Sequence, residues 1–195
     1  MHCVKSCRTK IWEALHAFQM KVICLSPAEF IHFGTTRELL KLVTKDVENY
    51  EFLNWRKQVC TNRAEERRYA AHNSLISKRA DIGEGCYLED CDIGNEVRVG
   101  EGSVLSGLCL ERGQIPPEVV LHALRLKDGK YTVRIYGVED NPKGTLEQNT
   151  TFIYGRLGDM LSYYGISPEL IWSRQEPYLW FAKLYPVCDS MDEAV

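Results

Sequence analysis

The sequence predicts a mixed α/β chain, mainly β, built on a left-handed hexapeptide-type β-helix with a β-hairpin and flanking helices. Three observations predict it. First, a phrase recurs: Ile82-Gly83-Glu84-Gly85-Cys86-Tyr87-Leu88 returns as Val99-Gly100-Glu101-Gly102-Ser103-Val104-Leu105. Second, branched apolar residues recur around each copy every six positions, as Ile76, Ile82, Leu88 and then Ile93, Val99, Leu105. A six-residue period marks short strands wound into coils. Third, the apolar runs 119–127 and 130–138 flank Asp128-Gly129, the strongest short hairpin signal.

The physics of the period is simple. Each short strand turns one aliphatic side chain inward and the next to solvent. A glycine after the aliphatic residue lets the backbone turn at a corner without a Cβ. One coil cannot bury its own apolar row, so coils must stack. With three hexads to a coil, copies seventeen residues apart lie about one layer apart. The residue missing between Leu88 and Ile93 is absorbed at a corner. A β-meander with glycine turns is the competing arrangement.

The elements follow in order. Thr9 is a candidate cap for a helix through Phe18, with Ile11, Trp12, Leu15 and Phe18 on one face. Residues 21–25 read as a buried strand closed by Ser26-Pro27, and 29–33 as a second short strand broken by Gly34. Thr35 and Glu38 make a capping box for a helix carrying Leu39, Leu40, Leu42 and Val43. Residues 45–70 are charged and poorly periodic, the pattern of a solvated face or linker. The coils are expected from about 74 to 110, with Ile115-Pro116-Pro117 turning out of them into the hairpin. A loop over 139–144 ends the hairpin. Ile153, Leu157, Met160, Leu161 and Tyr164 fit one helix face, stopped at Gly165. Ser167-Pro168-Glu169 opens a short helix. The aromatic stretch 178–185 is expected to pack against the coils. Three regions result: 1–70, 71–145 and 146–195.

Composition excludes some functions. At 195 residues with a formal net charge of −3, the chain lacks the basic face of a nucleic-acid binder. No stretch has the apolar length to cross a bilayer, and the N-terminus lacks the apolar core of a secretory signal. The expectation is a cytoplasmic protein with neither nucleic-acid nor membrane partners. Eight cysteines are scattered without a C-x-x-C pair, so neither a zinc knuckle nor a thioredoxin-like site is supported; reduced thiols are expected.

Candidate chemistry is sparse. Gly83-Glu84-Gly85 and Gly100-Glu101-Gly102 are G-x-G, but each opens a strand, lacks a third glycine and carries a Glu that repels phosphate. Corner turns are the better reading, and no Walker A loop is present. Hexad coils also carry acyltransferases that use a histidine base. His72 precedes the coils, and His122 shares a strand face with Val120, Leu124 and Leu126. Satisfied, partly buried histidines are the plainer reading of both and of His32. In Glu139-Asp140-Asn141 the carboxylates suit a sugar hydroxyl or a metal, although adjacent acids before Asn-Pro also make a solvated turn. Trp12, Trp55, Trp172 and Trp180 show no stacking pattern, and core packing is the default.

Four stretches carry a resemblance. Residues 30–40, Phe-Ile-His-Phe-Gly-Thr-Thr-Arg-Glu-Leu-Leu, look like the strand–Gly-Thr–helix that closes the catalytic domain of sugar-nucleotide pyrophosphorylases, where hexad coils follow. Ile115-Pro116-Pro117-Glu118-Val119-Val120-Leu121-His122 is similar to the exit from the coils in fucose-1-phosphate guanylyltransferases and L-fucokinases. Ile135 to Lys143 resembles their "GVxDNxK" stretch, and Leu179 to Cys188 their "LWxARxFPVC" segment. The resemblance runs from about Ile23 to Val195. It implies a parent that makes GDP-fucose from GTP and fucose 1-phosphate, with Mg2+ and GTP as its expected cofactor and nucleotide and sometimes with a fused fucose kinase. It implies that 1–70 holds a remnant of the nucleotidyltransferase domain. The Gly-rich basic loop of that family lies upstream of the matching part, so no catalytic residue is carried onto this sequence. Asp140, Asn141 and His122 are the candidate substrate-binding residues, with no metal site and no cofactor expected in this chain. The ending at Met191-Asp192-Glu193-Ala194-Val195 fits a fragment. Two other readings stay open: a non-catalytic module that self-associates through its coils, and a hexad acyltransferase using His72 or His122.

Overall fold

The computed structural model describes residues 2–19, 21–28, 30–148, 150–172 and 178–195. The chain divides into two units, Met1–His32 and Phe33–Val195. The first holds α1 (His2–Leu15). Thr9 lies inside this helix rather than capping it, and Ile11, Trp12, Leu15 and Phe18 are exposed. Residues 21–25 form no strand, and Val22, Ile23 and Leu25 are exposed. Residues 30–33 form none either, and Glu29 lies outside the described residues. An extended segment becomes a strand only when a neighbour takes its backbone hydrogen bonds, and apolar composition does not supply that neighbour.

In the second unit Gly34 leads into α2 (Thr36–Thr44). Its capping box is formed: the Glu38 N–H donates to Thr35 Oγ1 at 3.2 Å, and the Thr35 N–H donates to Glu38 Oε2 at 3.0 Å. A 3-10 stretch, Asp46–Leu53, follows. The coil strands are β1 (Gln58–Val59), β2 (Ala70–His72), β3 (Leu75–Ile76), β4 (Asp81–Ile82), β5 (Tyr87–Glu89), β6 (Asp92–Val99), β7 (Val104–Ser106), β8 (Cys109–Ile115) and β9 (Val119–Arg125). Strands β1, β2, β5, β7 and β9 pair in parallel along one face. Strand β3 with the first parts of β6 and β8 forms a second face, and β4 with their last parts forms the third. The result is a β-solenoid of about four turns.

Its register is that of the repeat. Ile76 sits beside Ile93, Ile82 beside Val99 and Leu88 beside Leu105, and all six are buried. The phrase conceals a further layer: Leu110, Ile115 and Leu121 stack on Ile93, Val99 and Leu105. The coils therefore continue past 110. Ile115-Pro116-Pro117 is a corner within them, and β9 is both the last coil strand and the first hairpin strand. The short step recurs at one corner, between Ala71 and Ile76, Leu88 and Ile93, and Leu105 and Leu110.

The outward positions of the first face are not solvated. Ala70, Tyr87, Val104 and Val120 are successive register partners, and all are buried with Leu40 of α2. A face covered by a helix reads as adjacent apolar pairs rather than clean alternation, as Tyr87-Leu88, Val104-Leu105 and Val120-Leu121 do. Burial of about this row and the inner rows supplies the main driving force, at about 25 cal/mol per Å² of apolar surface.

Residues 57–68, expected as linker, close the first coil. Asn62 acts as a missing strand: its Nδ2 donates to Ile76 O at 3.0 Å, and the Ile76 N–H donates to its Oδ1 at 2.9 Å. Arg63 Nε donates to the same carbonyl at 3.1 Å. At the other end β10 (Tyr131–Gly137) pairs antiparallel with β9 around the Asp128-Gly129 turn, where Gly129 has φ +81°. Beyond it lie β11 (Thr151–Phe152), β12 (Gly155–Arg156), α3 (Leu157–Tyr163), α4 (Pro168–Ile171) and α5 (Met191–Ala194). Ile153 falls in the turn between β11 and β12, not on α3. The aromatic segment packs on the hairpin. Tyr185 Oη donates to Ile135 O at 2.7 Å, and Tyr131 and Cys188 exchange backbone hydrogen bonds.

Candidate functional site

A pocket of about 350 Å³ lies outside β9 and β10. His122 and Arg134 face each other across the hairpin as register partners. Tyr136 and Leu124 extend this floor, Thr36 enters from the start of α2, and Asp140, Pro142, Leu179, Trp180 and Tyr185 complete the wall. Strand alternation explains the floor: Leu121 is core, so His122 points outward. The wall is pinned by backbone hydrogen bonds, Leu179 N–H to Gly144 O at 3.0 Å and Trp180 N–H to Pro142 O at 2.8 Å.

Two of the three expected substrate-binding residues, His122 and Asp140, thus meet in one pocket. Asn141 does not join them. It is exposed, and its Oδ1 accepts from the Lys143 N–H at 3.0 Å, shaping the turn. Asp140 is buried. Its Oδ2 accepts from the Gly137 and Ile153 N–H groups, each at 2.7 Å, while its Oδ1 is buried without a partner among the described residues. Glu139 points elsewhere, to Arg37, which also donates to Glu118 Oε1 at 2.9 Å. The acidic triplet therefore divides into a clamp, a buried acceptor and a turn former.

Arg134 was not singled out in the sequence, nor were Tyr136 and Tyr185. The guanidinium lies 5.4 Å from the Trp180 ring centroid and 5.5 Å from that of Tyr185, within cation–π range. The signal that finds Arg134 is the hairpin itself: pairing out from Asp128-Gly129 sets it opposite His122. Trp180 is 57% exposed, and Trp12 and Trp55 are exposed too, so of the four tryptophans only Trp172 meets the core expectation.

The electrostatics follow from burial. Burial first, then the Arg134 cation, lowers the His122 pKa below the ordinary imidazole value. Burial raises the phenols of Tyr136 and Tyr185. His122 is therefore neutral near pH 7, with one ring nitrogen to donate and one to accept. His72 differs. One ring nitrogen lies 3.2 Å from Arg56 O and the other 3.2 Å from Tyr87 Oη, a satisfied structural histidine.

The G-x-G corners are turns, as expected, but for two reasons. A Cβ on Gly83 would stand 2.5 Å from Glu101 N, and one on Gly100 2.3 Å from Pro117 N, so the next coil's backbone excludes it. Gly85 and Gly102 instead need left-handed backbone, at φ +70° and +65°; Glu118, in the next layer, adopts φ +54°. A second cleft, of about 400 Å³, lies between α2 and these corners. Glu84, Glu101 and Glu118 face it; of its three cations Arg37 and Lys41 are paired with carboxylates, which leaves Lys45 against three glutamates, so it is poorly disposed to phosphate.

Among the described residues no group of three or more His, Cys, Asp or Glu is placed to hold a metal ion, and no helix is long and apolar enough to cross a membrane. Cys7, Cys24, Cys60, Cys86, Cys91, Cys109 and Cys188 are free thiols.

Comparison with known proteins agrees with the family resemblance. The chain is 24% identical over 215 residues to human fucose-1-phosphate guanylyltransferase, covering 96% of this chain and 34% of that protein. It is 27% identical over 188 residues to the Arabidopsis thaliana bifunctional fucokinase/GDP-fucose pyrophosphorylase, covering 87% of this chain and 18% of the relative. It is 24% identical over 188 residues to the Bacteroides fragilis L-fucokinase/L-fucose-1-P guanylyltransferase, covering 93% and 19%. The chain thus spans between about a fifth and a third of these relatives. No solved structure matches it significantly. With the fucose pyrophosphorylase domain model matching residues 1–190, the chain belongs to the fucose pyrophosphorylase domain family.

Proposed function

We propose that this chain is the coil-bearing part of a cytoplasmic enzyme that forms GDP-fucose from GTP and fucose 1-phosphate, and that the His122–Asp140 pocket is its substrate-facing surface. The family match over residues 1–190 carries this reading; the convergence of His122 and Asp140 in one pocket supports it. In the reaction a phosphate oxygen of fucose 1-phosphate attacks the α-phosphorus of GTP. The bond to the pyrophosphate leaving group breaks, and pyrophosphate departs. Such a step needs positioning and charge stabilisation above all.

Among the described residues no group of three or more His, Cys, Asp or Glu gathers to hold the Mg2+ expected with GTP. The coils supply a rigid base, and the hairpin and the 179–188 segment present Arg134, His122 and Trp180 on it. The test is to incubate the protein encoded by the whole gene with GTP and fucose 1-phosphate. GDP-fucose and pyrophosphate in equal amounts are expected. Absence of both, in protein shown to be folded, defeats the reading.

A second reading is a non-catalytic assembly module. Exposed Ile11, Trp12 and Leu15 on the helix of the first unit favour it, because large apolar side chains exposed together mark contact sites. A stable oligomer by light scattering, with no GDP-fucose formed, would select it.

A further inference from the structure

We infer that the pocket beneath Trp180 binds a monosaccharide carrying a phosphate, with the phosphate on Arg134 and one C–H face of the sugar on Trp180. This rests on the reading above and deepens it, because it says which part of the substrate this chain holds and with which atoms.

The first observation is a cation in the pocket with no counter-charge: Arg134 is the one basic side chain in its lining. Arg134 has no carboxylate partner among the described residues. It is nevertheless held, at 5.4 and 5.5 Å from two aromatic ring centroids. A guanidinium fork matches phosphate oxygens in a bidentate manner. Rings that already fix it reduce the ordering cost of binding.

The second observation is the remaining surface. Trp180 is 57% exposed although its backbone is pinned to Pro142, so its ring is available to a ligand. Beside it, Asp140 lines the pocket and its Oδ1 lacks a donor. His122 adds a neutral ring with no hydrogen bond among the described residues, able to donate to a phosphate or accept from a hydroxyl. Leu124, Pro142 and Leu179 give an apolar wall suited to the methyl group of a 6-deoxy sugar.

The third observation is size. About 350 Å³ is near the lower end of the range of about 300–1,000 Å³ for small-molecule pockets. It suits a sugar phosphate better than a whole sugar nucleotide.

The experiment is titration calorimetry on the 195-residue chain with fucose 1-phosphate, free fucose, inorganic phosphate and GTP. Fucose 1-phosphate is expected to bind at least about tenfold more tightly than fucose or phosphate alone, and GTP is expected not to compete, as a two-point site requires. Arg134→Gln should reduce fucose 1-phosphate affinity about tenfold or more and leave free fucose unchanged; Arg134→Lys should fall between. Trp180→Ala, at an exposed side chain, should weaken fucose and fucose 1-phosphate together while the melting temperature holds. Unchanged affinity in both Arg134→Gln and Trp180→Ala would overturn the inference, as would displacement by GTP or phosphate binding as tight as that of the sugar phosphate. If the whole-gene protein makes GDP-fucose but this chain binds no sugar phosphate, the pocket falls and the enzymatic reading stands. If the chain binds the sugar phosphate through Arg134 but no GDP-fucose forms, the reverse holds.

Discussion

Gly100→Ala is the sharpest test of the stacked-coil structure. Layers in a parallel sheet are about 4.8 Å apart. A Cβ on Gly100 would meet Pro117 N at 2.3 Å, Pro117 Cα at 2.6 Å and Pro116 C at 2.7 Å. All three are backbone atoms of the next coil, and ordinary contact begins near 3.4 Å. No side chain can swing aside, so the corner of the next layer must shift by about an ångström. Val99 and Ile115, register partners beside it, lose their packing in the process. Overpacking in a core costs about 1–3 kcal/mol, and rigid backbone neighbours place this change near the upper end, at about 3 kcal/mol. Gly102→Ala, two residues on, is the internal comparison. Its Cβ would meet only Glu118 Cγ, at 3.6 Å, and its cost is the left-handed backbone alone, about 1–2 kcal/mol. Urea unfolding followed by circular dichroism measures both. With slopes of about 1–3 kcal/mol/M, Gly100→Ala should lower the midpoint by about 1–3 M and Gly102→Ala by less. A Gly100→Ala midpoint equal to wild type, or above that of Gly102→Ala, would refute the close approach of the two layers.

Three further outcomes follow from other parts of the fold. Asn62→Ala removes the group that pairs with both the N–H and the C=O of Ile76; an orphaned pair costs about 1–3 kcal/mol, and hydrogen exchange at Ile76 should accelerate while that at Ile93 stays slow. Burial pushes the Cys86 and Cys91 thiols up from 9.0 to about 11. A raised folded-state pKa stabilises the protein fully below about pH 9 and is lost as pH rises towards 11, so unfolding midpoints should fall over that window, and a Cys86→Ala/Cys91→Ala variant should show a shallower fall. Arg37→Ala breaks ion pairs whose side chains are about half exposed; solvent-screened pairs contribute about 0–1 kcal/mol, so thermal unfolding should shift by no more than this amount, and a loss of several kcal/mol would show that Glu118 and Glu139 depend on Arg37 for their backbone geometry.

The fold was legible wherever the sequence repeats itself. Ile76, Ile82 and Leu88 could be stacked on Ile93, Val99 and Leu105 without coordinates, because a period fixes both register and facing. The next layer was hidden because its corner changes residue type. Pro116-Pro117-Glu118 replaces Gly-Glu-Gly, with Glu118 accepting φ +54° where the earlier layers use glycine. The first layer was hidden for a different reason: Asn62 and Arg63 close it with side chains, and side-chain caps have no period. The strands expected at 21–25 and 29–33 did not form over the described residues because pairing is not written in a strand's own sequence. In the pocket, His122 and Asp140 were visible as residue types out of place on an apolar strand and in a turn. Arg134 was not, since a lone Arg on an exposed strand face is ordinary. What distinguishes it is the Trp180 and Tyr185 rings, which arrive from about fifty residues away in sequence.

That contrast bears on what the 137–141 stretch does. Gly137 is required because a Cβ there would lie 2.8 Å from Ile153 O. Val138 is buried in the outer apolar cluster with Leu40 of α2. Asp140 Oδ2 takes the N–H groups of Gly137 and Ile153, and Ile153 is held at φ +58°, a conformation sparsely populated for a β-branched residue. Asn141 closes the following turn. Four of these five residues are thus accounted for by architecture, and the fifth, Glu139, by its ion pair with Arg37. A motif so fully occupied in holding itself together is weak evidence for catalysis by its acids. Its contribution to function lies in where it ends: it sets Pro142 and Gly144, to which Trp180 and Leu179 are hydrogen-bonded, and so places the ring that flanks Arg134. Only Asp140 Oδ1 remains without a structural assignment, and it belongs to a residue that lines the same pocket.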